Sequence, residues 1–204
     1  MRFPPFDAAI RTRIEMHDDY ARLATFGAAL SRLSREAVDG AMAEVGVWRG
    51  DTSVLLNRLA PQRELHLFDT FGGFDERDLT GASDSDAVRF RDTSVEFVRG
   101  RLPTDAHVTL HPGRVPETLA AVADERFAFV LLDLDLHLPT AVALDFFYTR
   151  LAPGGFLFLH DYNSPESDWA CKRAMDAFIT DKPERLVDVC DKLGSVLLRK
   201  SDTR

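Results

Sequence analysis

The stretch AMAEVGVWRGDTS, Ala41–Ser53, decides the fold of this chain. A short apolar run ending at Glu44 is followed by Gly46 and Gly50, and a helical pattern begins at Asp51. Glycine tolerates the left-handed backbone angles of a tight turn and lets a ligand approach the backbone closely. The first turn of a helix offers N–H groups that have no partner within the helix. The stretch therefore predicts a strand that turns directly into a helix beside a polar small molecule.

The rest of the chain repeats this alternation of apolar runs and helical segments. Near-continuous apolar strands between helices indicate a parallel sheet covered on both faces, whereas two strands joined by a short turn must be antiparallel. The predicted fold is a Rossmann-like, doubly wound α/β fold with a mostly parallel seven-stranded sheet, an antiparallel last strand and an N-terminal helical extension. We predict strands at 41–45, 65–68, 108–110, 127–132, 156–159, 185–189 and 196–199, and helices at 52–59, 115–122, around 139–151 and at 168–180.

Residues 1–40 are predicted to form the helical extension, with one helix from residue 7 to about 38. Packing on the core, covering a pocket or pairing in a homodimer explains this helix better than a catalytic role does. The apolar residues at helical spacing that support it are Leu23, Phe26, Leu30, Leu33 and Ala37.

Composition narrows the class of protein. The 204 residues suit one domain, and 45% hydrophobic with 28% charged residues is typical of a globular chain. A net charge of -8 argues against a basic nucleic-acid-binding face. No apolar run approaches the roughly 20 residues of a membrane helix, and the N-terminus lacks a signal-peptide pattern. With only Cys171 and Cys190, which lack metal-site spacing, we expect a cytoplasmic protein that binds neither nucleic acid nor membrane.

Periodicity lapses between residues 72 and 91, where the sequence is rich in Gly, Ser and Asp. A long loop in a compact domain is usually functional or mobile. We therefore expect a substrate lid there.

Acidic residues follow the predicted strands at the edge where doubly wound sheets bind their ligands. Glu44 is in the first strand, Asp69 follows the second, Asp133 the fourth and His160-Asp161 the fifth. Several like charges at one edge are unfavourable unless cations accompany them. S-adenosylmethionine carries a sulfonium and an ammonium group, and a divalent metal would relieve the repulsion further.

The spacing of the glycines favours S-adenosylmethionine over a dinucleotide. Asp69 is placed to accept hydrogen bonds from a ribose diol, which both ligands have. Dinucleotide sites carry G-x-G-x-x-G, whereas this chain has Glu44-x-Gly46-x-x-x-Gly50. The carboxylate of Glu44 suits an ammonium group and repels a pyrophosphate.

Asp133, His160 and Asp161 are predicted to converge, because the fourth and fifth strands are neighbours in this topology. Two carboxylates and an imidazole can bind a divalent ion. Asp135 is a further ligand, a supporting acid or a helix cap, with the last two favoured. His137 is a candidate general base, although capping the following helix explains it equally well.

Six segments together resemble the macrocin O-methyltransferase family, a group of class I S-adenosylmethionine-dependent enzymes that use a metal to methylate sugar hydroxyls. The resemblance covers residues 41–200, and it makes 41–204 the methyltransferase domain. The segments are EVGVWRGDTS, LFDTFGGF, LHPGRVPETL, LLDLDLHLPT, LAPGGFLFLHDYN and ACKRAMDAF.

The resemblance implies roles for individual residues. Glu44 and Gly46 would flank the methionine part of the cofactor, Asp69 would bind its ribose, and Gly113 and Arg114 would lie beside its adenine. The other residues expected at the cofactor are Trp48, Gly50, Thr52, Ser53, Thr70, Phe71 and Asp133. Asp133 and His137 are the expected catalytic residues, and Asp133, His160 and Asp161 the expected metal ligands.

One position departs from the family pattern. His160 stands where the family usually has a second acid before the Tyr. Imidazole is a softer ligand than carboxylate, so the ion could be manganese rather than magnesium.

The sequence thus predicts an O-methyltransferase that acts on a small-molecule hydroxyl, either on a natural-product sugar or on a catechol-like phenol. Two alternatives stay open. Asp133-x-Asp135 resembles the metal motif of nucleotide-sugar glycosyltransferases. His160 could instead mark a relative that binds cofactor without turnover.

Overall fold

The protein, described by a computed structural model over residues 8–79, 88–104 and 106–201, is built on one seven-stranded sheet. The strands are β1 Ala41–Val45, β2 Leu65–Asp69, β3 Val108–Pro112, β4 Phe127–Leu132, β5 Leu151–Leu159, β6 Val187–Asp188 and β7 Val196–Arg199. The helices are α1 Ala8–Glu15, α2 Tyr20–Arg35, α3 Asp51–Leu59, α4 Val95–Arg99, α5 His137–Arg150 and α6 Ala170–Ile179.

The strand order is β3-β2-β1-β4-β5-β7-β6, and β7 runs antiparallel to both of its neighbours. The remaining pairs are parallel. This arrangement confirms the predicted doubly wound fold with its antiparallel last strand.

The register of the central strands brings their carboxyl ends together. Val45 pairs with Phe68 on one side and with Leu132 on the other, and Leu132 pairs in turn with Leu159. The residues that come next in each strand therefore lie in one row at one edge of the sheet, as the sequence predicted.

The N-terminal extension differs from its prediction. It is broken into α1 and α2, and α2 ends at Arg35. Ala37 therefore lies outside the helix, with a φ of 52°, and it is exposed.

Other boundaries also differ. Leu151 begins β5 instead of ending a helix. The helix predicted at 115–122 is a 3-10 helix at Glu117–Val122. The short helix α4 was not predicted; the Ser94 side chain caps it by accepting a hydrogen bond from the Phe97 amide at 3.1 Å. None of the described helices has both the length and the apolar character that a membrane-spanning segment needs.

α2 shares the core of the sheet. The ring of Phe26 is fully buried and meets Phe129 of β4 and Phe158 of β5 edge to face, with centroids 5.9 and 4.8 Å away. This packing fixes the start of α2 beside the carboxyl edge of the sheet.

Replacing Phe26 with Ala should lower the free energy of unfolding by about 3–5 kcal/mol, because it leaves a cavity between α2 and the sheet. Urea denaturation measures this change. Met16→Ala is the control, since Met16 is 82% exposed and should change stability by less than about 0.5 kcal/mol. Equal stabilities of the two variants would contradict the packing of α2 described here.

Candidate functional site

A cavity of about 440 Å³ opens at the carboxyl edge of the strands. Its walls come from the loops after β1, β2, β3, β4 and β5, and α2 contributes Arg22. The volume lies within the range of small-molecule sites, roughly 300–1,000 Å³.

Glu44 lies in the wall of this cavity and is 2% exposed. Ser53 of α3 donates a hydrogen bond to its Oε2 at 2.5 Å. Burial, together with the nearby Asp133 and Asp69 carboxylates, raises the pKa of Glu44 well above its usual value. A buried carboxylate in this state gains most from a cationic ligand, because the cation offsets both causes.

Gly46 follows β1 with a φ of +93° and passes close to the chain after β4. A Cβ atom at this position would lie 1.8 Å from the carbonyl oxygen of Asp133. Only glycine therefore permits the close approach of these two segments and leaves the cavity open.

Asp69 anchors the loop after β1. Its Oδ2 accepts hydrogen bonds from the amides of Val47 and Trp48, at 2.7 and 2.8 Å. Its Oδ1 accepts one from the amide of Phe71 at 2.7 Å. The carboxylate that was predicted to bind a ribose thus also fixes the loop, while it still lines the cavity.

Most residues expected at the cofactor line the cavity, and three do not. Those in its walls are Glu44, Gly46, Trp48, Thr52, Asp69, Thr70, Gly113, Arg114 and Asp133. Those outside are Gly50, Ser53 and Phe71. Each of the three contacts a neighbouring residue. A Cβ atom at Gly50 would meet Val98. Ser53 donates a hydrogen bond to Glu44, and the amide of Phe71 donates one to Asp69.

Arg114 is held by acids rather than left open to a ligand. Its Nε donates to Asp78 Oδ2 at 2.7 Å and its Nη2 to Asp78 Oδ1 at 2.5 Å. Its Nη1 donates to Glu117 at 3.1 Å. The ion pair of Arg114 with Asp78 joins the loop after β3 to the start of the expected lid.

The end of the expected lid also contacts the loop after β1. Trp48 donates from Nε1 to Asp92 at 2.7 Å, and its ring packs edge to face on Phe90, whose ring packs in turn on Phe74. These three aromatic rings form a wall of the cavity. Residues 80–87, the middle of the expected lid, lie outside the described residues, so the lid stays a prediction.

His137 is the predicted residue that the structure places apart. It begins α5, is exposed, and does not line the cavity. The chain turns sharply at Asp135, whose φ is 58°, and His137 lies two residues after this turn, outside the cavity. Its role as a general base stays a prediction.

Asp133, His160 and Asp161 do converge, and their ligand atoms lie within 4.8 Å of one another. His160 Nδ1 lies 3.0 Å from Asp133 Oδ1 and 3.1 Å from Asp161 Oδ1. Asp161 Oδ1 is buried and has no hydrogen-bond partner among the described residues. The two carboxylates are therefore suited to a cation.

Arg22, which sequence reasoning did not single out, reaches the same edge from α2. Its Nη1 lies 2.7 Å from His160 Nε2 and 3.7 Å from Asp133 Oδ2. Its Nε lies 3.3 Å from Asp19 Oδ2, and its side chain is 16% exposed. A helical extension with no recognisable motif thus supplies a cation to the acidic row.

The contact with Arg22 fixes the hydrogen positions on His160. A guanidinium has only N–H donors, so Nε2 must accept, and the proton of a neutral ring must be on Nδ1. Burial lowers the pKa of His160, but Asp133 and Asp161 outweigh burial and raise it to about 10. The contact with Arg22 favours the neutral ring, whereas the two carboxylates favour the cationic ring, and Nδ1 carries a proton in both.

Nδ1 carries a proton in either state of the ring, neutral or cationic, for as long as Arg22 remains in place. Binding of a metal ion needs a deprotonated nitrogen with a free lone pair. The carboxylates fit the expected ion, but the imidazole between them does not.

Asp135 contributes a further acid, 7% exposed, to the cavity wall. Burial, with Asp161 and Asp133 nearby, raises its pKa well above the usual value. Arg89 Nη2 lies 3.8 Å from its Oδ1. Asp135 is therefore a supporting acid, which agrees with one of the two readings that the sequence favoured.

Comparison with known proteins identifies the family of this chain. The model of the macrocin O-methyltransferase family, TylF, matches residues 16–194. The chain belongs to this family. The match includes α2, so Arg22 lies within the shared region, and it confirms the family that the sequence motifs indicated.

Individual relatives are enzymes that methylate glycosylated natural products. The 8-demethyl-8-(2,3-dimethoxy-alpha-L-rhamnosyl)-tetracenomycin-C 4'-O-methyltransferase of Streptomyces olivaceus is 29% identical over 142 residues, which are 62% of this chain and 54% of that enzyme. This chain thus spans about half the length of that relative. Mycinamicin III 3''-O-methyltransferase of Micromonospora griseorubida is 27% identical over 192 residues, covering 80% of this chain and 74% of that enzyme.

The fold is shared with a solved structure, that of the O-methyltransferase NovP. The TM-score is 0.74 at 22% identity, over 89% of this chain and 80% of that one.

Gly46→Ala should lower the free energy of unfolding by about 2–5 kcal/mol, because the methyl group clashes with Asp133 and the backbone is left-handed there. Thermal or urea unfolding measures the loss. Gly72→Ala is the matched control, since its Cβ would meet nothing nearer than Thr70 O at 4.0 Å. If both variants unfold like the wild type, the loop after β1 does not pass as close to Asp133 as described.

Proposed function

We propose that this protein is an S-adenosylmethionine-dependent O-methyltransferase that acts on a hydroxyl group of a small molecule. The observation that carries the proposal is a buried carboxylate, Glu44, in the wall of a cavity bounded by the Gly46 turn, in a chain of the macrocin O-methyltransferase family. This wall suits an ammonium group.

The chain's residues fit the donor. Glu44 would accept hydrogen bonds from its ammonium group, and Asp69, at the end of β2, would accept them from its ribose; both residues line the cavity. Gly113, which lines the cavity after β3, would lie beside its adenine. When bound, S-adenosylmethionine supplies a methyl group made electrophilic by its sulfonium.

The acceptor hydroxyl is oriented by Asp133. Oδ1 of this carboxylate accepts a hydrogen bond from His160 Nδ1–H, whereas Oδ2 is 3.7 Å from Arg22 and can accept from a further donor. Burial would raise the pKa of Asp133, but His160 and Arg22 outweigh it, so the pKa is below its usual value. Asp133 is therefore ionised at neutral pH, so it can align the hydroxyl for in-line attack and accept its proton as the methyl group is transferred, with a driving force that the lowered pKa reduces.

The rings of Trp48, Phe74 and Phe90 line the cavity and would limit the access of water to a bound acceptor. These rings also form a surface on which a sugar ring or an aromatic aglycone can pack. We assign no step to a divalent ion, because Nδ1 of His160 carries a proton where an ion needs a lone pair.

Sugar hydroxyls of glycosylated natural products are the favoured acceptors, since the name of the tetracenomycin relative includes a rhamnosyl group and both relatives are named as O-methyltransferases of natural products. A catechol-like phenol is the second acceptor class. A nucleotide-sugar glycosyltransferase is disfavoured, because Glu44 would face the diphosphate. The homodimer and the cytoplasmic location stay predictions.

Glu44→Gln should weaken binding of S-adenosylmethionine roughly ten- to hundredfold, because a hydrogen bond to a charged group contributes about 1.5–3 kcal/mol. Isothermal titration calorimetry measures the dissociation constant. Glu96→Gln, an exposed change on α4, is the control and should bind like the wild type. Unchanged affinity in Glu44→Gln would contradict the assigned position of the ammonium group.

Transfer of a labelled methyl group to a panel of deoxysugar glycosides and catechols tests the reaction itself. Asp133→Asn should lower kcat roughly 10²- to 10⁴-fold, the usual contribution of a general base. Asp145→Asn on the exposed face of α5 should leave kcat unchanged. Tight cofactor binding without transfer to any acceptor would favour the non-catalytic alternative, and tight binding of a nucleotide sugar alone would favour the glycosyltransferase.

A further inference from the structure

The acidic row contains a cation of its own. Arg22 is the basic side chain nearest to His160 among the contacts described, and it is mostly buried. Its Nη1 binds His160 and approaches Asp133 Oδ2, so its charge lies at the mouth of the Asp133–His160–Asp161 group.

Two features oppose the entry of a divalent ion there. The positive charge of Arg22 repels a second cation at short range. The contact of Arg22 with Nε2 also disfavours a proton there, so the His160 proton stays on Nδ1 between the two carboxylates, where an ion would have to displace it.

Without Arg22 at this position, the three side chains can bind an ion. If Arg22 withdraws, Nε2 can carry the proton and Nδ1 is free to bind an ion. Asp161 Oδ1, buried and lacking a hydrogen-bond partner among the described residues, would then complete the ligand set with Asp133. Arg22 and a divalent ion therefore compete for one site.

We propose that Arg22 is the resident cation of this edge, and that it holds the divalent-ion affinity of the protein low. The N-terminal extension thereby determines a property of the site, in addition to covering it. The inference concerns the site of the proposed methyl transfer. Its test needs neither methyl donor nor acceptor, so its failure would leave the proposed reaction unaffected.

The position of Arg22 is itself supported. Asp19, 6% exposed at the start of α2, lies 3.3 Å from Arg22 Nε, and it accepts a long hydrogen bond from the Lys192 amide. One turn further along the same helix, Phe26 is fixed in the core. The side chain is thus held from behind by an acid and by the rigid packing of its helix.

The test is binding of Mn²⁺, measured by electron paramagnetic resonance of the free ion, on the protein without other ligands. Arg22→Met keeps most of the aliphatic stem and removes the charge. It should bind one Mn²⁺ at least roughly tenfold more tightly than the wild type, because a nearby repulsive charge is gone. Arg35→Met, an exposed change on the same helix, should bind like the wild type.

A second pair of variants assigns the site. Asp19, His160 and Asp191 form another group whose atoms could bind an ion. In the Arg22→Met background, Asp161→Asn should abolish the gained affinity, whereas Asp191→Asn should leave it.

Three results would overturn the proposal. One is tight Mn²⁺ binding by the wild type that Arg22→Met does not improve. Another is an Arg22→Met variant that folds, as judged by circular dichroism, and binds no Mn²⁺ more tightly than the wild type. The third is a gain that survives Asp161→Asn, since the ion would then be bound elsewhere.

Discussion

The structure depends on keeping several carboxylates at one edge of a buried sheet. Two unit charges 4 Å apart at the effective dielectric of a protein repel by about 4 kcal/mol, which is comparable with the net stability of a domain, roughly 5–15 kcal/mol. The row of acids is therefore tolerable only with donors and cations beside it. Asp69 accepts hydrogen bonds from the amides after β1 and β2, and Glu44 accepts one from Ser53. Asp133 lies against His160 and forms an ion pair with Arg22.

The parallel register makes this row unavoidable. Once β1 pairs with β2 and β4, the residues after each strand must meet at the same edge. Gly46 then passes against the Asp133 carbonyl, which brings the loop after β1 and the chain after β4 close to each other. If these segments bind donor and acceptor as proposed, backbone packing contributes to the distance between them.

The sequence predicts those parts of the molecule that depend on local pattern. Apolar runs and glycines gave the sheet, the loop after β1 and the convergence of Asp133, His160 and Asp161. The sequence pattern does not predict the position of Arg22, because a basic residue on the polar flank of an amphipathic helix has the same spacing whether it faces solvent or a cavity. Its position depends on how α2 crosses the sheet, which is a tertiary property.

The catalytic role of His137 stays a prediction, although the structure places this residue outside the cavity. Its place after β4 suggested a base at the rim, yet one left-handed residue, Asp135, redirects the chain and leaves His137 in solvent. Periodicity contains no information about a single backbone turn of this kind. The same limit explains why a five-residue helix such as α4, which depends on the Ser94 cap, was not predicted.

A crystal structure of the protein grown with S-adenosylmethionine and a stoichiometric amount of Mn²⁺ tests the account most directly. We expect the ammonium group of the cofactor at Glu44 and Arg22 still bonded to His160 Nε2, with no anomalous signal between Asp133 and Asp161. A cofactor bound away from Glu44, or a manganese peak at those carboxylates with Arg22 still in place, would contradict it.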